Sequence, residues 1–123
     1  MPNGAAILVV DRNSRNQELL ERFLVREGYQ VCQAADLNEF AMALERDGDL
    51  KLALVDIAGF DSAVWNYCEQ LRDRGIPFLV ISPRQAAALQ EESIAHGARG
   101  LLTKPLAVRE LLCLIRSLIE EGT

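Results

Sequence analysis

Five short apolar runs, each followed by a longer segment of helical period, constrain this chain more than any other feature. The runs 6–10, 30–34, 51–55, 77–81 and 100–102 read as strands, and 14–27, 37–47, 62–74, 85–96 and 108–120 read as helices. When every strand is followed by a helix, each helix carries the chain back across the sheet, so the strands run parallel. Runs one, three and four are almost wholly apolar, as strands covered on both faces must be. The second alternates polar and apolar residues and is expected at an edge. Leu20, Phe23 and Leu24 give the first helix an apolar stripe, and Leu111, Leu112, Ile115, Leu118 and Ile119 do the same for the last. Asp36 with Glu39 has the spacing of a capping box, and Gly28, Gly75 and Gly97 each follow a helix where a left-handed residue ends it. No linker, repeat or low-complexity tract interrupts the pattern, so residues 1–123 are expected to form one domain.

Composition removes several classes of function. The 123 residues carry a net charge of −5, and a nucleic-acid surface needs clustered Lys and Arg to displace phosphate counterions. Direct DNA or RNA binding is therefore not expected. No apolar stretch approaches the roughly 20 residues that span a bilayer, and Met1-Pro2-Asn3-Gly4 lacks the charged and apolar regions of a signal peptide. The expectation is a cytoplasmic chain with no membrane contact. Cys32, Cys68 and Cys113 are odd in number, far apart and set among apolar residues, which reads as buried reduced thiols.

Charged and hydroxyl side chains gather where such a sheet places its ligands. Asp11 and Asp56 follow the first and third runs, Ser82 follows the fourth, and Lys104 precedes Pro105 just after the fifth. In an open α/β sheet the loops leaving the carboxyl ends of the strands diverge and leave a crevice there. Taken singly, each residue has an ordinary reading. Asp56 suits a solvated loop, Lys104 suits a surface turn, and Ser82 with Pro83 suits the start of a helix.

Taken together, Ile7-Leu8-Val9-Val10-Asp11, Leu54-Val55-Asp56, Phe78-Leu79-Val80-Ile81-Ser82 and Thr103-Lys104-Pro105 resemble the receiver domain of two-component response regulators over residues 6–119. The resemblance implies an α/β, flavodoxin-like, doubly wound (βα)5 fold with a five-stranded parallel sheet in the order 2-1-3-4-5. It implies that Asp56 accepts a phosphoryl group from a sensor histidine kinase or a phosphotransfer protein, with no enzymatic activity beyond self-phosphorylation and autodephosphorylation at Asp56. Lys104 and Ser82 would contact the phosphoryl oxygens. Mg²⁺ would be held by Asp11, Asp56 and the backbone carbonyl of Ala58, and the Lys104-Pro105 bond would be cis. The fourth helix, fifth strand and fifth helix, around 86–89, 99–101 and 108–116, would contact an effector or a second copy.

The chain departs from the family pattern close to this site. Receivers carry two adjacent acids after the first strand; here Arg12 stands where the second, a direct metal ligand, is expected. A guanidinium cannot ligate a cation, so Mg²⁺ affinity is expected to fall, and Arg12 is expected to reach Asp56 and take the place of the metal. Phe60 and Ala63-Val64 replace the usual Pro and Asp-Gly of the following loop. Pro83 follows Ser82 where a small residue is preferred, which is expected to narrow access, and Leu101 replaces the aromatic that moves with the serine. The alternative within the fold is a phosphorylation-independent interaction module locked by Arg12 on Asp56. A flavodoxin-like carrier of a phosphate-bearing cofactor is disfavoured, because the loop after Asp11 has no glycine and the crevice loops have no aromatic pair. His96 has no acid or Cys at ligand spacing, and Trp65 and Tyr67 read as packing and surface residues.

Overall fold

The computed structural model describes residues 5–45, 50–83 and 87–121. Strands β1 (Ala6–Val10), β2 (Gln30–Ala34), β3 (Leu50–Asp56), β4 (Phe78–Ser82) and β5 (Gly100–Thr103) alternate with helices α1 (Ser14–Arg26), α2 (Leu37–Glu45), α3 (Val64–Asp73), α4 (Ala87–Ala95) and α5 (Val108–Glu121). All strand pairings are parallel, in the order β2-β1-β3-β4-β5. This is the expected flavodoxin-like arrangement, with the alternating second strand at an edge.

Side-chain alternation along the strands divides the core into two layers. Leu8, Val10, Ala53, Val55, Phe78 and Val80 face α2 and α3, packing on Phe40, Leu44, Trp65, Cys68 and Leu71. Ile7, Val9, Leu52, Leu54, Leu79 and Ile81 face α1 and α5, packing on Leu24, Leu111, Ile115 and Leu118. The central strands are therefore apolar along most of their length because both of their faces are covered there, and the exceptions, Lys51, Asp56 and Ser82, fall near the strand ends. In α4 the one buried residue is Ser93, whose hydroxyl donates to the Leu89 carbonyl 2.8 Å away.

Local signals set most of the helix ends. The Asp36 carboxylate accepts from the Glu39 N–H at 2.8 Å, and the Glu39 carboxylate reaches back to the Ala35 N–H at 2.7 Å, one residue beyond a strict capping box. Helix α3 starts at Val64 instead of Ser62, since the Asp61 carboxylate accepts from the Ala63 N–H and closes a turn first. Positions 46, 47, 85 and 86 of the expected second and fourth helices lie outside the described residues. One expectation is corrected: of the three thiols only Cys68 is buried, while Cys32 is half-buried and Cys113 exposed. Leu111, Ile115 and Leu118 take the inward face of α5, which turns position 113 outward.

Candidate phosphoacceptor site

Asp11 and Asp56 come together because β1 and β3 are neighbours in register. Val10 pairs with Val55, so the two acids leave adjacent strand ends side by side. Both are buried, at 3 % and 2 % exposure. Each is held by the turn that follows it. The Asn13 N–H donates to Asp11 Oδ1 at 2.9 Å, and the Ala58 N–H donates to Asp56 Oδ1 at 3.0 Å. Burial is the main force pushing the Asp11 carboxyl above its ordinary range. The Asn13 hydrogen bond opposes that shift, the neighbouring Asp56 charge adds to it, and Lys104 opposes it again.

Lys104 arrives from β5. Its backbone N–H donates to the Ser82 carbonyl at 2.9 Å, which fixes the end of β5 against β4. Its ammonium then lies 2.5 Å from Asp56 Oδ2. No donor among the described residues is aligned for a hydrogen bond on that buried oxygen, so the ion pair is its compensation. The Lys104-Pro105 bond is cis. Ser82 is buried at the end of β4, alongside the Asp56–Ile81 pairing.

Arg12 does not join this group. No ion pair links it to Asp56; it is exposed, and its guanidinium carbon lies 5.6 Å from the centroid of the Phe60 ring. The expected Arg12–Asp56 contact is therefore corrected. Lys104 already occupies the Asp56 carboxylate, and the aromatic face of Phe60 holds the arginine at the rim. Pro83 is exposed and is not among the residues that line the cleft beside the site. Leu101 is half-buried against the α2–α3 side of the core.

Two further features escaped the sequence. A cleft of about 340 Å³ opens from Asp11, Asp56 and Lys104 down between α1 and α5, walled by Leu19, Leu20, Phe23, Leu106, Val108 and Leu111. Leu19 and Val108 remain 52 % and 53 % exposed there. The i, i+4 pair Leu19 and Phe23 was a signal for it, but its other wall lies some ninety residues away. On the opposite face, His96 stacks on Trp65 with ring centroids 4.9 Å apart, and its Nδ1 lies 2.5 Å from Glu69 Oε2. That cluster ties the end of α4 to α3.

A divalent cation here would have two carboxylates to bind, Asp11 and Asp56, one acid fewer than a three-acid cage. Mg²⁺ keeps several waters and binds proteins through one or two carboxylates. Among the described residues no group of three or more His, Cys, Asp or Glu converges to hold a metal.

With this geometry in view, residues 7–116 match the response regulator receiver domain model, and the chain belongs to that family. It is 31 % identical over 124 residues to the transcriptional regulatory protein GltR of Pseudomonas aeruginosa, covering 98 % of this chain and 51 % of GltR. It is 29 % identical over 119 residues to CusR of Escherichia coli, covering 94 % of this chain and 52 % of CusR. The chain thus spans about half the length of these curated relatives. Among solved structures, a CheY-like receiver domain from Methanospirillum hungatei superposes with a TM-score of 0.86 at 26 % identity, covering 98 % of this chain and 97 % of that one. The protein is a receiver domain of a response regulator, a module of two-component signal transduction. Among the described residues no helix is long and apolar enough to cross a membrane.

Proposed function

We propose that this receiver accepts a phosphoryl group on Asp56 from a sensor histidine kinase or a phosphotransfer protein. The observation that carries the reading is the Lys104–Asp56 ion pair at the carboxyl edge of the sheet, beside Asp11. One Asp56 oxygen attacks the donor phosphorus as the bond from phosphorus to the histidine nitrogen breaks. The imidazole leaves with the electron pair, and an acyl phosphate forms on Asp56. Lys104 follows the negative charge from the carboxylate to the phosphoryl oxygens, and the Ser82 hydroxyl donates to one of them. Mg²⁺, bound through Asp11, Asp56 and the Ala58 carbonyl, would neutralise charge on those oxygens. Hydrolysis returns the carboxylate and releases phosphate.

The output reading follows the family. The face formed by α4, β5 and α5 would contact an effector or a second copy, and the exposed Ala87, Ala88 and Ile94 on α4 add apolar surface beside the exposed Gln90, Glu91 and Glu92. Pro83, Leu101 and Pro105 would shape how the state of Ser82 reaches that face. GltR and CusR are named as transcriptional regulatory proteins, which suits an output exerted through an attached or separate effector. The chain's own charge of −5 gives no reason to assign DNA binding to this domain, and a cytoplasmic location suits its partners.

Incubation with acetyl phosphate or carbamoyl phosphate and Mg²⁺, followed by intact-mass measurement, tests the reading. The expected result is one phosphoryl addition, absent in Asp56→Asn. An unchanged mass, or an addition that survives Asp56→Asn, would return the chain to the phosphorylation-independent reading.

A further inference from the structure

Arg12 is a cation with a built resting place and, among the described residues, no anion. Its guanidinium lies over Phe60, and its stem passes so close to Gly59 that a Cβ there would stand 3.1 Å from Arg12 Cδ. Gly59 also has φ of 83°, a conformation other residues rarely adopt. The turn between β3 and α3 is therefore shaped around this arginine, with an aromatic ring on one side and no side chain on the other. That same turn begins at Asp56 and supplies the Ala58 N–H that holds it. The described ion pairs place no carboxylate on Arg12.

Charge at the site is unbalanced in the direction that an arginine would correct. Asp11 and Asp56 are acids, and among the described residues Lys104 is the single cation paired with them. A phosphoryl group arriving at Asp56 adds further negative charge. A guanidinium offers a planar fork of donors that matches phosphoryl oxygens, and such charge-assisted bonds outweigh an exposed cation–π contact.

We propose that Arg12 is an oxyanion-binding residue for the phosphoryl group at Asp56, parked on Phe60 until those oxygens arrive. The proposal rests on the reading of Asp56 as the acceptor. Arg12 thereby supplies, from the protein, part of the charge neutralisation that a divalent ion supplies elsewhere, and it relaxes the demand for metal. With acetyl phosphate the balance is complete. An Asp56 oxygen bonds to phosphorus, the phosphorus bond to acetate breaks, and acetate leaves with the electron pair.

The test follows labelling of the whole chain by acetyl phosphate through intact mass across a Mg²⁺ titration. Arg12→Ala should slow labelling about tenfold or more at each Mg²⁺ concentration, and Arg12→Lys should recover part of the loss. Arg12→Asp should make labelling strictly Mg²⁺-dependent and tighten Mg²⁺ binding, read independently from the amide resonances of Asp11 and Ala58 in unphosphorylated protein. Equal rates for wild type and Arg12→Ala at every Mg²⁺ concentration overturn the proposal. If neither wild type nor Arg12→Asp gains mass, it is the acceptor reading that fails. Titration with inorganic phosphate then decides the Arg12 claim by itself: a shifted Arg12 Nε–H resonance supports it, and an unmoved one overturns it.

Discussion

The Lys104 ammonium reaches from a side chain that is 31 % exposed to an Asp56 carboxylate that is 2 % exposed, and closes to 2.5 Å. A wet cation thus neutralises a dry anion. Taking the cation away leaves a buried charge without compensation, which is the expensive half of such a pair. Lys104→Met should lower unfolding stability by about 1–3 kcal/mol, scaled to the partial exposure of the lysine. Asp56→Asn in the same background should recover most of that loss. Urea denaturation of the two single variants and the double variant measures the coupling. Strictly additive effects would show that the pair contributes nothing.

Asp11 gives a pH dependence whose sign can be worked out. Its folded carboxyl lies above the ordinary value of 3.8, with burial as the first cause. The folded state therefore keeps this proton at a pH where the unfolded chain has lost it. Stability from this group falls as pH rises through the folded value, and the penalty is fully present above it. Asp11→Asn keeps an oxygen for the Asn13 N–H and removes the charge. In metal-free buffer at neutral pH it should stabilise the domain by about 0.5–2 kcal/mol, and the gain should vanish as pH falls below 3.8. Thermal melts across pH check this; an Asn variant no more stable than wild type at neutral pH contradicts it.

Gln17 is a buried amide on α1 whose Nε2 donates to the Ala34 carbonyl at 2.8 Å, the same carbonyl that accepts from the Asp11 N–H at 3.0 Å. It pins the helix to the end of the edge strand just behind the acid pair. Gln17→Leu should cost about 1–2 kcal/mol, since one lone pair of that carbonyl loses its donor in a dry place. A shifted denaturation midpoint with faster hydrogen exchange at the Asp11 amide is the expected signature. Unchanged exchange would mean the pin is dispensable.

The thiols should separate by reactivity. Burial, with the Glu69 charge as a smaller contribution, pushes Cys68 up to about 12, so almost no thiolate exists there at neutral pH. Cys113 is exposed on α5. Iodoacetamide on the native protein should modify Cys113 first and leave Cys68 untouched until denaturant is added. Peptide mapping that finds early alkylation at Cys68 would show that α3 opens readily.

Much of this architecture was written in local patterns, and the exceptions have a common cause. Alternating apolar runs located the strands, and the strand ends brought Asp11, Asp56 and Lys104 to one crevice, because sheet register carries such residues together whatever their separation along the chain. Side-chain direction was less legible. Arg12 was expected on Asp56, but its choice depends on Lys104 having already taken that carboxylate and on Phe60 offering a face, two facts of three-dimensional neighbourhood. The start of α3 moved by two residues because the Asp61 side chain closes a turn ahead of the helix. The His96–Trp65–Glu69 cluster and the cleft beside α1 join helices distant in sequence, and no spacing rule reports such meetings.

That cleft makes the surroundings of Asp56 lopsided. Water approaching from above the sheet meets loops and charge, whereas water approaching along the flank must cross leucine, phenylalanine and valine from two helices. Solvent can thus be shut out from one flank without touching the acids at all. A bulky residue in place of Leu19 or Val108 would work as a shutter, altering how long any labile bond on Asp56 survives while every charged group stays where it is.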